Sequence, residues 1–140
     1  MPQKKSFTPA IDQLMRDAGA ITASAAALVG GVAKEFNLGP GLYEGRIHVE
    51  LTAFDITGGA GGFERYNILV QGKDAAGNWT TLAQLQIGEA TVTDHGEDSV
   101  AGHYVIYFAN EHNGEIFETI RLFDAMSGET PSINYSAWLD

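Results

Sequence analysis

The feature that most limits the fold of this chain is an alternation of apolar and polar residues with a period of two, which begins near residue 44. Successive side chains of a β-strand point to opposite faces, so the alternation predicts half-exposed strands rather than helices. It recurs in residues 66–70 and 79–87. The predicted inward positions are Ile47, Val49, Leu51, Ala53, Tyr66, Ile68, Val70, Trp79, Thr81, Ala83, Leu85 and Ile87.

Turn signals separate these runs. Asn113-Gly114 is a two-residue hairpin sequence, and glycine-rich or polar stretches lie between the other runs. No alternation of strands with helices is visible, so we predict an all-β fold: an antiparallel β-sandwich or jelly-roll-like barrel of about seven or eight strands. Residues 103–109 are apolar nearly throughout, which predicts a strand covered on both faces. The last strand, residues 133–139, is predicted to be an edge that pairs with a neighbouring chain.

The N-terminal segment differs from the rest of the chain. Ile11, Leu14 and Met15 are spaced as one stripe of a short helix. We therefore predict an extended N-terminal arm with a short helix in residues 1–19, followed by a β-sandwich domain in residues 20–140. The alanine-rich start of that domain permits helix by propensity, but its glycines and β-branched residues favour extended structure.

The charge is uneven along the 140 residues. The net charge is −10, which repels phosphates and predicts no binding to nucleic acid. Residues 1–16 nevertheless carry +2, because they contain three basic residues, Lys4, Lys5 and Arg16, and one acidic residue, Asp12. A basic arm on an acidic body predicts docking on an acidic surface, and a solvated tail is the alternative. No apolar run reaches the roughly 18–20 residues that a bilayer requires, which predicts no membrane partner.

Residues with reactive side chains are few. The chain has no cysteine, and its four histidines lack the spacing of a metal motif. Asp94, Glu97 and Asp98 gather near His95, but not in the order of a calcium loop, so a solvated acidic loop is favoured. We therefore predict no metal, no cofactor and no enzymatic activity. A hydrolase with a carboxylate pair formed only in the fold stays an alternative.

Three aromatic residues are candidates for binding: Trp79, Tyr107 and Trp138. Trp79 shares the alternation of the apolar positions, which predicts core packing. Trp138 lies opposite the apolar positions of its strand, which is typical of an interface anchor; a frayed terminal strand is the alternative. The candidate interaction residues are Lys4, Lys5, Ile11, Leu14, Met15 and Trp138.

A resemblance to a known family rests on two short motifs. Residues 17–25, Asp-Ala-Gly-Ala-Ile-Thr-Ala-Ser-Ala, resemble the Asp-Ala-x-Ala-(Ile/Val)-Thr-Ala-Ser-Ala opening of tailed-bacteriophage capsid cement (decoration) proteins. Residues 36–39, Phe-Asn-Leu-Gly, are similar to the apolar-Asp-Leu-Gly segment that follows in that family, with Asn in place of Asp.

The resemblance implies a virion structural protein that is made in the host cytoplasm and seated on the capsid exterior. It further implies a homotrimer whose partner is the major capsid protein, stabilising contacts between capsid subunits. The alternatives are a carbohydrate-binding β-sandwich module and a tail or baseplate component.

Overall fold

The computed structural model describes residues 13–57, 63–89 and 98–140. Fourteen β-strands form within these residues. They are β1 Leu14–Arg16, β2 Ala20–Ile21, β3 Ala25–Ala26, β4 Leu28–Val29, β5 Val32–Ala33, β6 Phe36–Asn37, β7 Glu44–Phe54, β8 Arg65–Lys73, β9 Trp79–Gly88, β10 Gly102–Ala109, β11 Glu111–His112, β12 Glu115–Ile116, β13 Thr119–Ser127 and β14 Ile133–Leu139.

Two antiparallel sheets make up the body. The first sheet has the order β1-β14-β7-β10, with β2 also paired to β14, and the second has the order β3-β13-β8-β9, with β6 also paired to β13. Taken in chain order, the eight strands on these two paths pair first with eighth, second with seventh, third with sixth and fourth with fifth. This nested pairing is a jelly roll. The predicted all-β sandwich is therefore confirmed.

The core lies between the two sheets. Inward side chains of both sheets interdigitate there and exclude water, which is the main favourable term in folding. The buried apolar residues include Met15, Ile47, Val49, Leu51, Tyr66, Ile68, Val70, Ile87, Ile106, Phe108, Ile120, Leu122, Ile133, Tyr135, Ala137 and Leu139. The alternation therefore predicted the inward positions correctly in β8 and in the first part of β7.

A β-bulge changes the facing of residues in β7. Tyr135 is opposite Leu51, whereas Asn134 is opposite Ala53, so Thr52 is the extra residue. An extra residue exchanges the faces of all side chains beyond it. Ala53 is exposed, and the prediction that it points inward is wrong.

A second bulge changes the facing of residues in β9. Val70 is opposite Ala83, but Gln71 is opposite Thr81, which leaves Leu82 unpaired. Leu82 packs against the core, whereas Thr81 is exposed. Trp79 lies beyond the bulge, opposite Lys73 on the outward face, so the prediction of core packing for Trp79 is wrong.

Residues 13–39, here called the N-terminal strip, run along one side of the sandwich. β1 and β2 extend the first sheet beside β14, while β3 and β6 extend the second sheet beside β13. β14 thus lies between β7 and the strip, so the predicted free edge at residues 133–139 is wrong. The extended structure favoured for the start of the domain is confirmed.

The helix predicted in the arm lies largely outside the described residues. Leu14 and Met15, two members of its stripe, lie in the strand β1 instead. No helix long and apolar enough to cross a bilayer occurs in residues 13–57, 63–89 and 98–140.

The strand β10 has one face toward solvent. Tyr107 is 71% exposed, whereas Ile106 and Phe108 on either side of it are buried. The prediction that residues 103–109 are covered on both faces is therefore wrong, and the apolar residues on their outward side are surface residues.

Candidate functional site

The outward face of the first sheet carries a cluster that we call the histidine face: His48, Glu50, His103, Trp138 and Asp140. Three adjacent strands, together with the residue that follows β14, supply it. His48 of β7 is opposite Trp138 of β14, and Glu50 of β7 is opposite His103 of β10. Side chains opposite or diagonal to one another on the same face of a sheet come within contact distance. The sheet register therefore brings together residues that are far apart in the sequence.

Hydrogen bonds link four of these residues in series. Glu50 Oε2 lies 2.9 Å from His103 Nδ1, and His103 Nε2 lies 2.9 Å from His48 Nδ1. His48 Nε2 lies 3.1 Å from Asp140 Oδ2, which also accepts a hydrogen bond from Arg46. Each imidazole therefore contacts a carboxylate through one nitrogen and the second imidazole through its other nitrogen.

Trp138 packs against both imidazoles of the histidine face. Its ring stacks on that of His48 with centroids 5.4 Å apart and planes inclined by 13°, and lies 5.8 Å from the ring of His103. Leu14 of β1 is opposite Trp138 on its other side. The tryptophan is half-buried, as expected for a side chain covered by neighbours on three strands.

An open groove adjoins the histidine face. Its volume is about 650 Å³, and its lining includes Arg46, Leu82, Tyr107 and Asp140. The groove lies where β10 and β9, the strands at the ends of the two sheet paths, come together. Unpaired strand edges and an exposed tyrosine are features of surfaces that bind other proteins.

A second polar cluster is buried between the sheets. Asp124 of β13 accepts a hydrogen bond from the Tyr135 hydroxyl, and its Oδ2 lies 3.9 Å from Arg16 Nε. The Arg16 guanidinium lies 4.3 Å from the centre of the Tyr135 ring and donates to the carbonyls of Tyr135 and Gly19. Arg16 thereby fixes the N-terminal strip to both sheets.

The electrostatics of this buried cluster follow from desolvation. Burial raises the pKa of Asp124 to about 6, against the opposing effects of the Tyr135 hydrogen bond and the Arg16 charge. Burial also raises the pKa of Tyr135 well above its ordinary value. A cavity of about 240 Å³ lined by Arg16, Asp124 and small residues of the strip lies beside the pair.

The strip also presents an apolar hairpin. β4 and β5 pair through a turn in which Gly30 and Gly31 have φ values of 61° and 80°. These angles fit the type I′ turn, which needs positive φ at both central residues. Leu28 and Val32 are 41% and 70% exposed. Because Val32 is opposite Val29, it lies on the other face of the hairpin from Leu28, so each face offers apolar surface to a partner.

Only three of the six predicted interaction residues lie within the described part of the chain. Lys4, Lys5 and Ile11 lie outside the described residues. Leu14 and Trp138 are paired on the histidine face, while Met15 is fully buried and has no surface for a partner. Of the acidic loop, only Asp98 is described.

Sequence reasoning missed the partnership of His48 and His103. The alternation correctly placed His48 outward, but the two residues are separated by 55 positions and meet only through the register of β7 and β10. A search for helical metal motifs does not detect such a pair, because the contact depends on strand pairing. Among the described residues, no group of three or more metal-ligating side chains converges on one point.

No family model, curated protein or solved structure matches the chain.

Proposed function

We propose that this chain is a non-enzymatic capsid cement protein of a tailed bacteriophage. In this proposal it forms a homotrimer on the capsid exterior and stabilises contacts between major capsid subunits. A protein that binds only the assembled shell shifts the equilibrium toward assembly by mass action, and many copies on one lattice multiply the effect.

The position of the N-terminal strip is the observation that carries the proposal. Both motifs of the resemblance, residues 17–25 and 36–39, lie in this strip. It pairs with β14 of one sheet and β13 of the other, so its backbone is held by the body of the protein. The β4–β5 hairpin, which carries the exposed Leu28 and Val32, pairs with neither sheet. It is anchored at Asp17, whose backbone N–H donates to the Leu28 carbonyl and whose side chain accepts from the Gly30 N–H. This anchoring lowers the entropy cost of binding.

The charge of the chain supports docking of the arm rather than of the body on an acidic shell. Residues 1–16, which include Lys4 and Lys5, carry +2, so the rest of the chain carries −12 to give the total of −10. We infer that the arm contributes electrostatic attraction and the hairpin contributes apolar contact. The first contribution weakens with salt, whereas the second does not.

Co-sedimentation tests the proposal. Untagged protein is mixed with empty shells assembled from the major capsid protein of the same genome, and bound protein is measured after pelleting. We expect saturable binding, a trimeric mass in solution, and at least a tenfold weakening in the double variant Leu28→Ser, Val32→Ser. Leu42→Ser is the matched control, because Leu42 is 62% exposed but lies outside the strip.

The outcomes separate the parts of the proposal. Failure of the folded wild-type protein to pellet with shells would reject capsid binding. Equal weakening by Leu42→Ser would reject the hairpin as the contact. A monomeric mass would reject the trimer while leaving capsid binding to be decided by the pellet.

A carbohydrate-binding module is the second candidate, and the outward position of Trp79 favours it. Its ring is on the second sheet's surface, with the Arg121 guanidinium 4.0 Å from its centre. Jelly rolls also occur in lectins. Quenching of tryptophan fluorescence by a panel of bacterial surface glycans would support this function, and no response across the panel would argue against it.

A further inference from the structure

The hydrogen bonds of the histidine face determine which nitrogens of its two imidazoles carry protons. Glu50 and Asp140 are carboxylates on the surface, and an ionised carboxylate only accepts hydrogen bonds. The nitrogens facing them, His103 Nδ1 and His48 Nε2, must therefore carry protons. In the neutral imidazoles this leaves His103 Nε2 and His48 Nδ1 as two lone pairs that face each other at 2.9 Å.

Two lone pairs at this distance repel unless they share a cation. A proton satisfies the pair by making one ring an imidazolium. A divalent transition metal satisfies it by accepting both lone pairs, and the carboxylate partners then keep each ring in the required tautomer. A carboxylate behind a metal-ligating histidine is the usual arrangement in protein metal sites, where it orients the ring and raises its basicity.

We propose that His48 Nδ1 and His103 Nε2 form a two-histidine site for a divalent transition metal of the class that prefers imidazole, such as Zn²⁺, Ni²⁺ or Cu²⁺. Glu50 and Asp140 are its positioning residues. The site does not depend on the proposed capsid function.

The dimensions of the pair fit this chemistry. Metal–nitrogen bonds of about 2.0–2.1 Å across the 2.9 Å separation of the nitrogens give a ligand–metal–ligand angle of about 90°. Adjacent positions of tetragonal Ni²⁺ or Cu²⁺ have this angle, and a small widening of the pair reaches the tetrahedral angle of Zn²⁺. The ion then lies off the line that joins the two nitrogens, so both rings must turn to aim their lone pairs at it. The His103 side chain, which is 42% exposed, has more room to turn than His48, which is 19% exposed.

The site is open. The described residues supply two ligands, because no larger donor group converges there. Because the side chains of His103 and His48 are 42% and 19% exposed, water or a donor from another molecule can complete the coordination. Open positions distinguish such a site from a closed structural metal centre, which uses four protein ligands.

The test uses the untagged full chain and Zn²⁺ as the probe. Long-range ¹H–¹⁵N spectra of the imidazoles are recorded at pH 7.5 as zinc chloride is added. We expect the resonances of His48 Nδ1 and His103 Nε2 to shift together and saturate at one ion per chain. Because this measurement uses the wild-type protein, it does not depend on whether a variant folds.

Variants then assign the roles by calorimetric titration with Zn²⁺ and Ni²⁺. We expect His48→Asn and His103→Asn each to weaken binding at least tenfold. Glu50→Gln keeps both ligands and is expected to weaken binding by about tenfold, as loss of a supporting carboxylate does elsewhere. His112→Asn is the matched control, because His112 is exposed in β11 and remote in the pairing scheme.

Each result decides for or against the site. Unchanged His48 and His103 resonances at saturating zinc would overturn the proposal, as would equal weakening by His112→Asn. Retention of full affinity in Glu50→Gln would overturn the positioning role of Glu50. Saturable shifts confined to the two facing nitrogens would establish the site.

Discussion

The hydroxyl of Tyr135 donates a hydrogen bond to Asp124 across the core, linking a central strand of one sheet to a central strand of the other. Both side chains are buried, and Arg16 of the N-terminal strip lies against the pair. Oδ2 of Asp124 has no hydrogen-bond donor within the described part of the chain. Because the charge of this carboxylate is only partly compensated, burial is the main cause of its raised pKa.

The first prediction concerns the pH dependence of stability. The pKa of Asp124 is about 6 in the folded protein and about 3.9 in an unfolded chain. A raised folded pKa means that the fold binds the proton more tightly, so stability is gained as the pH falls through 6 and is complete below about 4. We expect the free energy of unfolding of the wild type, relative to Asp124→Asn, to rise by about 2 kcal/mol between pH 7.5 and 4.5.

Urea denaturation of both proteins at the two pH values measures this difference. Asp124→Asn is a suitable reference because it retains an acceptor for Tyr135 and removes the titration. It also removes the charge beside Arg16, but only the change in the stability difference between the two pH values is compared. Other carboxylates, such as Asp55, whose pKa is lowered mainly by the Thr57 backbone hydrogen bond, titrate in both proteins and cancel. Parallel pH profiles would show that Asp124 does not titrate in this range.

The second prediction concerns the boundary of the arm. Deletion of residues 1–16 removes Met15, which is fully buried, and Arg16, which is 3% exposed. Loss of a buried methionine typically costs about 2–5 kcal/mol. We expect this deletion to lower the melting temperature strongly, and by more than deletion of residues 1–12, which keeps β1. Equal melting temperatures of the two truncated proteins would contradict the assigned role of β1.

The third prediction tests the close approach of Gly72 to Phe117. A Cβ at Gly72 would lie 2.6 Å from Phe117 Cγ, and Phe117 is buried. We expect Gly72→Ala to destabilise the protein by about 1–3 kcal/mol. In the Phe117→Ala background the same substitution should cost less, because two of the three nearest atoms, Cγ and Cδ1 of Phe117, are removed. A cost that is identical in both backgrounds, measured by chemical denaturation, would assign the effect to backbone conformation instead.

The fourth prediction tests the outward position of Trp79. The chain has two tryptophans, so Trp138→Phe leaves Trp79 as the sole emitter. We expect its fluorescence to be quenched by acrylamide, and Arg121→Ala to increase the quenching by removing the guanidinium from the ring face. The loss of stability should be only about 0.5–1 kcal/mol, as for an exposed cation–π pair. Emission at short wavelength that resists acrylamide would instead indicate a core residue.

The sequence alone determined the class of fold and much of the core. The alternation of apolar and polar residues reflects only the two-residue period of a strand, which is a local property. The inward positions of Ile47, Val49, Tyr66 and Ile68 were therefore predicted correctly. Asn113-Gly114 likewise specified its hairpin, since both residues adopt the positive φ that the turn requires.

Tertiary structure decided the rest. The bulges at Thr52 and Leu82 reversed the facing of Ala53 and Trp79, because an unpaired residue is defined only by the register of the partner strand. The same register brought His48 to His103, which no local spacing encodes. Pairing of β1 with β14 within the first sheet also placed Leu14 and Met15, two predicted members of a helical stripe, in a strand whose Met15 is buried in the core. Local chemistry thus set the strands, and long-range pairing set which surfaces they present.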